Sequence, residues 1–583
     1  MPHLLVALFL IHIGSLSFQS CTQKEYVDFT PEVITEYWTS GKTLPLEVSE
    51  KYPFDPQKIE NDNGYNVVID LAHQCKFISL WRFAPRLNSL GYRALTSHAS
   101  IHSILDPEGF SRARIMYDKE NKIFPFAWIP NPPINVIITE QSDPNAQDYL
   151  VEEQEALIEF VNRGGGLVII GAPVAETEKM QNWSLNRMAQ RFGAELTAGI
   201  DQYQGSDHAV MKLSEDWEEV GTGENGGVVI ARRNIGKGRV MLLGGSKNIH
   251  LPNESTDMDK ERVAEFLETS LAWLTESQDK AGGEPRLPSA FGGGGSFYPE
   301  IEKQFSNIVL FYAANQKEDL LKTVREDIPQ CKDLIEGLLP TKPTLEPMYL
   351  LLCAGSGGGW AVNAYRPKEN GIISLNRLGI ISIFAHELAH TMFGPVNDRG
   401  EIAGRAPIPD KGEAHAGWFQ GKSNAVFDPS LSNESNRNCN SVFKFDPDLK
   451  LDLKKYAEDK EYRKQFDGRD WTKIWYLWQK LDDRYGPTWY PRWKWIQHTR
   501  WQDTPEHRLS WEEMVEDMSI AVGEDLFPFF NKTGTVLEIK RLPSIEFEGK
   551  VLLLEEAPID PTPAGNVRLE AIGDYKKPLL YQK

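Results

Sequence analysis

Between Ile380 and Phe393 the chain runs Ile-Ile-Ser-Ile-Phe-Ala-His-Glu-Leu-Ala-His-Thr-Met-Phe, and no other segment constrains the molecule so tightly. No glycine or proline interrupts it, and it is apolar on most faces. The pattern predicts a buried helix. His386 and His390 stand four residues apart, so their imidazoles share one face, one turn from each other. Burying two histidines and a glutamate without partners is costly. A metal ion removes that cost, and this spacing lets both rings bind one zinc ion. Glu387, beside the first histidine, is then the candidate general base. The competing reading is a pair of histidines satisfied by hydrogen bonds inside a core helix.

A zinc ion needs a third protein ligand. The glycine that follows is Gly394, four positions past His390, and no histidine stands where an HxxGxxH continuation needs one; Asp398 is out of register. Pro395, Gly400, Gly404, Pro407 and Pro409 then make a breaker-rich loop. It ends at Gly412-Glu-Ala-His-Ala-Gly-Trp-Phe, where Glu413 opens a helix-like segment 23 positions after His390. Glu413 is the candidate third ligand and His415 the alternative. Glu413 also fits the third helical position of a capping box with Asp410.

At 583 residues the chain is too long for one core. Residues 65–275 alternate apolar strands with amphipathic helices, which predicts an α/β layer with a largely parallel sheet. Its strands are expected at Tyr65–Leu71, Tyr92–Thr96, Asn135–Thr139, Leu167–Gly171 and near 227–232 and 239–244. Gly164-Gly-Gly166 stops the helix that starts near Tyr149. A Gly/Pro-rich stretch follows, and residues 298–380 then mix strands and helices. Residues 450–530 read as helical, with seven tryptophans between Trp471 and Trp501. Helical spacing of Ile474, Trp475 and Trp478 favours core packing for most of them over stacking on sugar rings. Lys and Arg number 63 against 83 Asp and Glu, a net charge of −20 with no basic run, which disfavours nucleic acid.

Residues 1–20 carry a short apolar run of signal-peptide length, and no second stretch is long enough to span a membrane. Secretion is the expectation, and Cys21, after Phe18-Gln-Ser, is a candidate lipid anchor of a surface lipoprotein. Cys75, Cys331, Cys353 and Cys439 fit no CxxC pattern.

His386-Glu-Leu-Ala-His-Thr-Met-Phe-Gly394 resembles the zinc helix of gluzincin peptidases, and Gly412-Glu-Ala-His-Ala416 resembles their third-ligand segment. The resemblance implies His386, His390 and Glu413 as zinc ligands and Glu387 as general base. The Gly-Ala-Met-Glu-Asn motif of gluzincin aminopeptidases is missing. In its place stands Gly355-Ser-Gly-Gly-Gly-Trp-Ala-Val-Asn-Ala-Tyr365, which could lead into an edge strand that holds an extended peptide or form a tight turn. An endopeptidase is therefore expected. Ile474-Trp-Tyr-Leu-Trp with Glu513-Met-Val-Glu-Asp-Met-Ser resembles the helical subdomain of the enhancin family of mucin-degrading metallopeptidases, which implies protein or glycoprotein substrates. Gly164-Gly-Gly-Leu-Val-Ile-Ile-Gly171 resembles a strand of the glutamine-amidotransferase-like (flavodoxin-like) fold, and the two units in this order resemble the TRP-channel-associated factors. Gly171-Ala-Pro173 lacks the nucleophilic cysteine of true amidotransferases, so that first unit is expected to be structural or ligand-binding.

The implied architecture is multidomain, α/β plus α+β. A signal peptide covers 1–20, an amidotransferase-like domain 21–280, a linker 281–297, a zinc metallopeptidase domain 298–535, and a short β-rich segment 536–583. Tyr485, Tyr490 and His498 are candidates, by residue type, for stabilising an oxyanion. The second reading is a non-catalytic extracellular binding or adhesion protein that keeps zinc for stability.

Overall fold

The structure, a computed structural model, describes residues 59, 61–73, 80–114, 126–141, 147–249, 257–281, 295–338, 348–352, 360–362, 372–375, 380–391, 413–427, 446, 448–466, 469–504, 507 and 509–562. The expected leader 1–20, Cys21, Cys75, Cys353 and Cys439 lie outside the described residues. The chain is mixed α/β, with a large parallel-rich sheet and a helical C-terminal region.

The apolar runs of the first unit form strands because each is buried on both faces, as a central parallel strand must be. They are β1 (Asn66–Asp70), β2 (Arg93–Ser97), β5 (Val136–Glu140), β6 (Gly166–Ile170) and β11 (Gly238–Leu243). β3 (Phe110–Arg114), β4 (Phe126–Pro130), β9 (Glu218–Thr222), β10 (Val228–Ile235) and β12 (Gly295–Tyr298) complete a ten-stranded sheet. Its order is β4-β3-β12-β2-β1-β5-β6-β11-β10-β9. The run from β12 to β11 is parallel, and both flanks are antiparallel. Helix α1 (Leu80–Ser89) connects β1 to β2. Leu157, Phe160 and Val161 of α2 (Val151–Arg163) cover one face. Val263, Leu267, Leu271 and Leu274 of α3 (Asp257–Thr275) cover the other. At the end of α2, Gly164 has φ +124°, a conformation that favours glycine.

Strand pairing occurs at two of the expected boundaries. The linker read over 281–297 ends inside a strand: Gly295–Phe297 pair with Leu95–Ser97, because Phe297 is an apolar residue that the first sheet buries completely. Thr535–Val536 (β19) pair in parallel with Leu451–Asp452 (β18) of the helical region. Beyond them lies one hairpin, Ser544–Phe547 (β20) with Lys550–Leu553 (β21). The alternation also hid the hairpin of β7 (Ala194–Tyr203) and β8 (Ser206–Leu213). It turns through Gln204 and Gly205, both with positive φ, as a two-residue hairpin loop requires.

The second sheet has the order β13-β14-β15-β17-β16. β14 (Ile308–Tyr312), β15 (Met348–Leu352) and β17 (Ile372–Leu375) are parallel, while β13 (Ile301–Phe305) and β16 (Trp360–Val362) are antiparallel edges. Helices α4 (Glu318–Gly337), α5 (Ile380–Thr391) and α6 (Glu413–Phe427) pack with one another next to it. Helices α7 (Arg469–Tyr485), α8 (Trp489–Trp501) and α9 (Trp511–Val522) continue the same core. Trp475, Trp478, Trp489 and Trp493 are buried in it, which accords with the core reading for these four.

Candidate active site

The His-Glu-x-x-His segment is one unbroken helix, α5, apolar enough to bury Ile380, Ile381, Phe384, Ala385, Leu388 and Ala389. It packs against α4, α6, β16 and β17. β16 is an edge strand beside this helix, and the glycine-rich stretch that leads into it, 355–359, lies outside the described residues.

His386 is half-buried, and its Nδ1 lies 3.1 Å from Oε1 of Gln420 on α6. An amide oxygen only accepts, so Nδ1 donates. The Nε2 of Gln420 donates to Ser382 Oγ at 2.7 Å, which fixes the amide's orientation. A ligand imidazole is commonly held this way by its second nitrogen. Gln420 is a partner of His386 that the motif reading missed. Its signal was the seven-residue spacing from Glu413, two turns along one helix face. Glu387 is buried one position on. His390 lies on α5, and Glu413 is the first residue of α6 rather than the third. Asp410, its expected capping-box partner, lies outside the described residues. The side chains of His390 and Glu413 lie outside the described residues. Among the described residues, no group of three His, Cys, Asp or Glu side chains could hold a metal ion.

His415, the alternative ligand, does other work. Its Nε2 donates to the Ala389 carbonyl at 3.0 Å, and its Nδ1 pairs with the Tyr490 hydroxyl. Both nitrogens are thus committed to holding α6 against α5 and α8. The same pairing commits the hydroxyl of Tyr490, which is wholly buried. Tyr485 donates to Glu524 Oε2 at 2.5 Å. Burial first, then Glu524, push its hydroxyl well above the usual tyrosine range. The ring of His498 stands edge-on to Trp495.

A buried carboxylate braces the helices behind this pair. Asp482 on α7 accepts from Trp418 Nε1 at 3.0 Å, Trp489 Nε1 at 2.7 Å and Lys422 Nζ at 3.2 Å. Burial raises its carboxyl above the usual range, against the pull of Lys422. Trp418 also stacks on Tyr490, with centroids 4.3 Å apart. Cys331 on α4 is a buried free thiol 3.5 Å from Ser423 Oγ of α6.

No protein-family model and no curated protein matches the chain. Among solved structures it is similar to a cytoplasmic protein of Salmonella typhimurium, at 12% identity over 36% of this chain and 98% of that one, with a TM-score of 0.22. It is similar to the ZmpB metallopeptidase of Clostridium perfringens at 16% identity, over 49% of this chain and 54% of that one, with a TM-score of 0.23. It is also similar to Gan42B, a GH42 β-galactosidase, at 14% identity over 36% and 30% of the two chains, with a TM-score of 0.19. Likenesses this faint establish neither the family nor the activity. Among the described residues, no helix is long and apolar enough to cross a membrane.

Proposed function

We propose that the chain is a secreted zinc-dependent endopeptidase of gluzincin type that cleaves protein or glycoprotein chains. In this reading the first unit is amidotransferase-like in fold, and the second is an enhancin-like peptidase. The observation that carries it is the anchoring of His386: Gln420 accepts from its Nδ1, on the one unbroken helix that also bears Glu387 and His390.

His386, His390 and Glu413 would hold the zinc ion, which when bound supplies a Lewis acid that polarises a scissile carbonyl and acidifies a water. Gln420 and Ser382 orient the His386 ring. Glu387, buried beside it, takes the proton of the attacking water and delivers it to the leaving amine. The edge β16 offers main-chain groups to an extended peptide, which suits cleavage within a chain.

The test is hydrolysis of casein and mucin by the full chain, with and without chelator. Zinc-dependent cleavage that Glu387→Gln abolishes supports the proposal. Cleavage by Glu387→Gln at the parent's rate contradicts it. Stoichiometric zinc with no hydrolysis by the parent would favour the adhesion reading.

A further inference from the structure

In an open α/β sheet, ligands bind outside the carboxyl ends of the strands, where the winding direction reverses. Here that point lies between β1 and β5, since β2 flanks β1 on the other side. The carboxyl ends deliver Asp70, His73, His98, Thr139 and, from the start of α2, Glu153. His73 is completely buried, with Nδ1 2.8 Å from Asp70 and Nε2 3.1 Å from Glu153. Its ring stacks on Tyr149 at 3.9 Å, and Thr139 donates to Asp70 at 2.5 Å. Glu153 also accepts from the Ile101 and Leu150 amides.

What covers this cluster is the chain itself. The side-chain amide nitrogen of Asn315, in the turn after β14, donates to the Ala72 carbonyl at 3.2 Å and packs against the edge of the His73 ring. The Ala314 amide donates at 2.8 Å to Glu300, which also accepts from the Ser100 amide at 3.2 Å and the Ser100 hydroxyl at 2.5 Å. Farther along, Arg112 of β3 pairs with Glu302 of β13 at 2.8 Å and lies over the Phe311 ring of β14. Ala313, Asn315 and Gln316 are all buried.

We infer that the crevice where a sheet of this connectivity takes a ligand is, in this chain, a docking socket for the Ala313–Gln316 turn of its own second unit. The contacts are polar and specific on both sides, as a registered joint requires, and they lie at the carboxyl ends of the strands. The occupant leads directly into α4, which packs on α5. The first unit thereby acts as the platform that fixes the start of the helix backing the His386 helix. The socket stands on its own contacts and does not depend on the hydrolase reading.

Hydrogen exchange on the full chain tests this. In the parent, amides 71–73, 98–104 and 313–316 are expected to be as protected as those of β1. Asn315→Ala and Ser100→Ala, each a mild deletion, should speed exchange on both sides of the joint together. The expected change is about tenfold, the factor that losing roughly one net hydrogen bond produces, with β6 and β11 unchanged. Glu300→Ala should give the same pattern at larger amplitude. Exchange that changes only on the mutated side, or a parent in which 313–316 exchange orders of magnitude faster than β1, would overturn the inference.

Discussion

The two units each bury a histidine at the point where their elements converge, and the two are held in opposite ways. His73 sits between two carboxylates, and both its nitrogens are engaged by them. Burial alone would lower its proton affinity, but Asp70 and Glu153 outweigh it and push the imidazolium up to about 10. It is a locked cation. His98 shows what burial does without close carboxylates, since desolvation takes it down to about 4 despite the pull of Asp70. His386 meets a neutral amide, that of Gln420, at Nδ1. It is half-buried, and the partner at that nitrogen carries no charge. The lesson is that partner charge, more than burial, separates the locked His73 from His386, the histidine proposed to bind.

The comparison breaks first at Glu387. Glu387→Gln should lower hydrolysis about 100- to 10,000-fold while leaving bound zinc unchanged, because only the proton transfer is lost; steady-state rates alongside metal analysis check it. Gln420→Ala tests the proposed reason for His386's orientation. It should weaken zinc affinity about 10- to 100-fold, read by competition with a chromogenic chelator.

For the locked histidine the prediction concerns stability. His73→Phe leaves two buried carboxylates without their cation and should cost about 3–5 kcal/mol in denaturant unfolding. The sign with pH follows from linkage. The native state holds the His73 proton more tightly than the unfolded chain, whose histidine titrates near 6.5. The contribution is complete below that pH and is lost as pH rises through about 10. Unfolding midpoints should therefore fall between these values in the parent and fall less steeply in His73→Phe. The smallest effect is at Cys331, whose thiol burial pushes up to about 12. It should resist labelling by a thiol reagent in the native protein and react on unfolding.

Much of the fold was legible because buried strands and helices repeat at fixed periods. β1, β2, β5, β6 and β11 fall within about two residues of the apolar runs that announced them, and Gly164 marks the end of α2. β12 was hidden because a glycine-rich stretch precedes Phe297, and local composition reads as linker although the strand is stabilised by pairing with β2, about 200 residues earlier. At the candidate site, the i, i+4 histidines were readable because helical geometry is local. Gln420, His415 and Tyr490 were not, because their roles depend on which faces of α5, α6 and α8 meet. His415 lies two residues from Glu413, and only the packing shows that its ring is spent on Ala389 and Tyr490. The Asp70–His73–Glu153 cluster joins residues 83 positions apart and carries no motif.

The most direct measurement is the zinc content of the purified full chain and two variants. The account predicts one zinc per parent chain, loss of that zinc in Glu413→Ala, and its retention in His415→Ala. A parent that binds no zinc, or zinc that survives Glu413→Ala and disappears in His415→Ala, would contradict it.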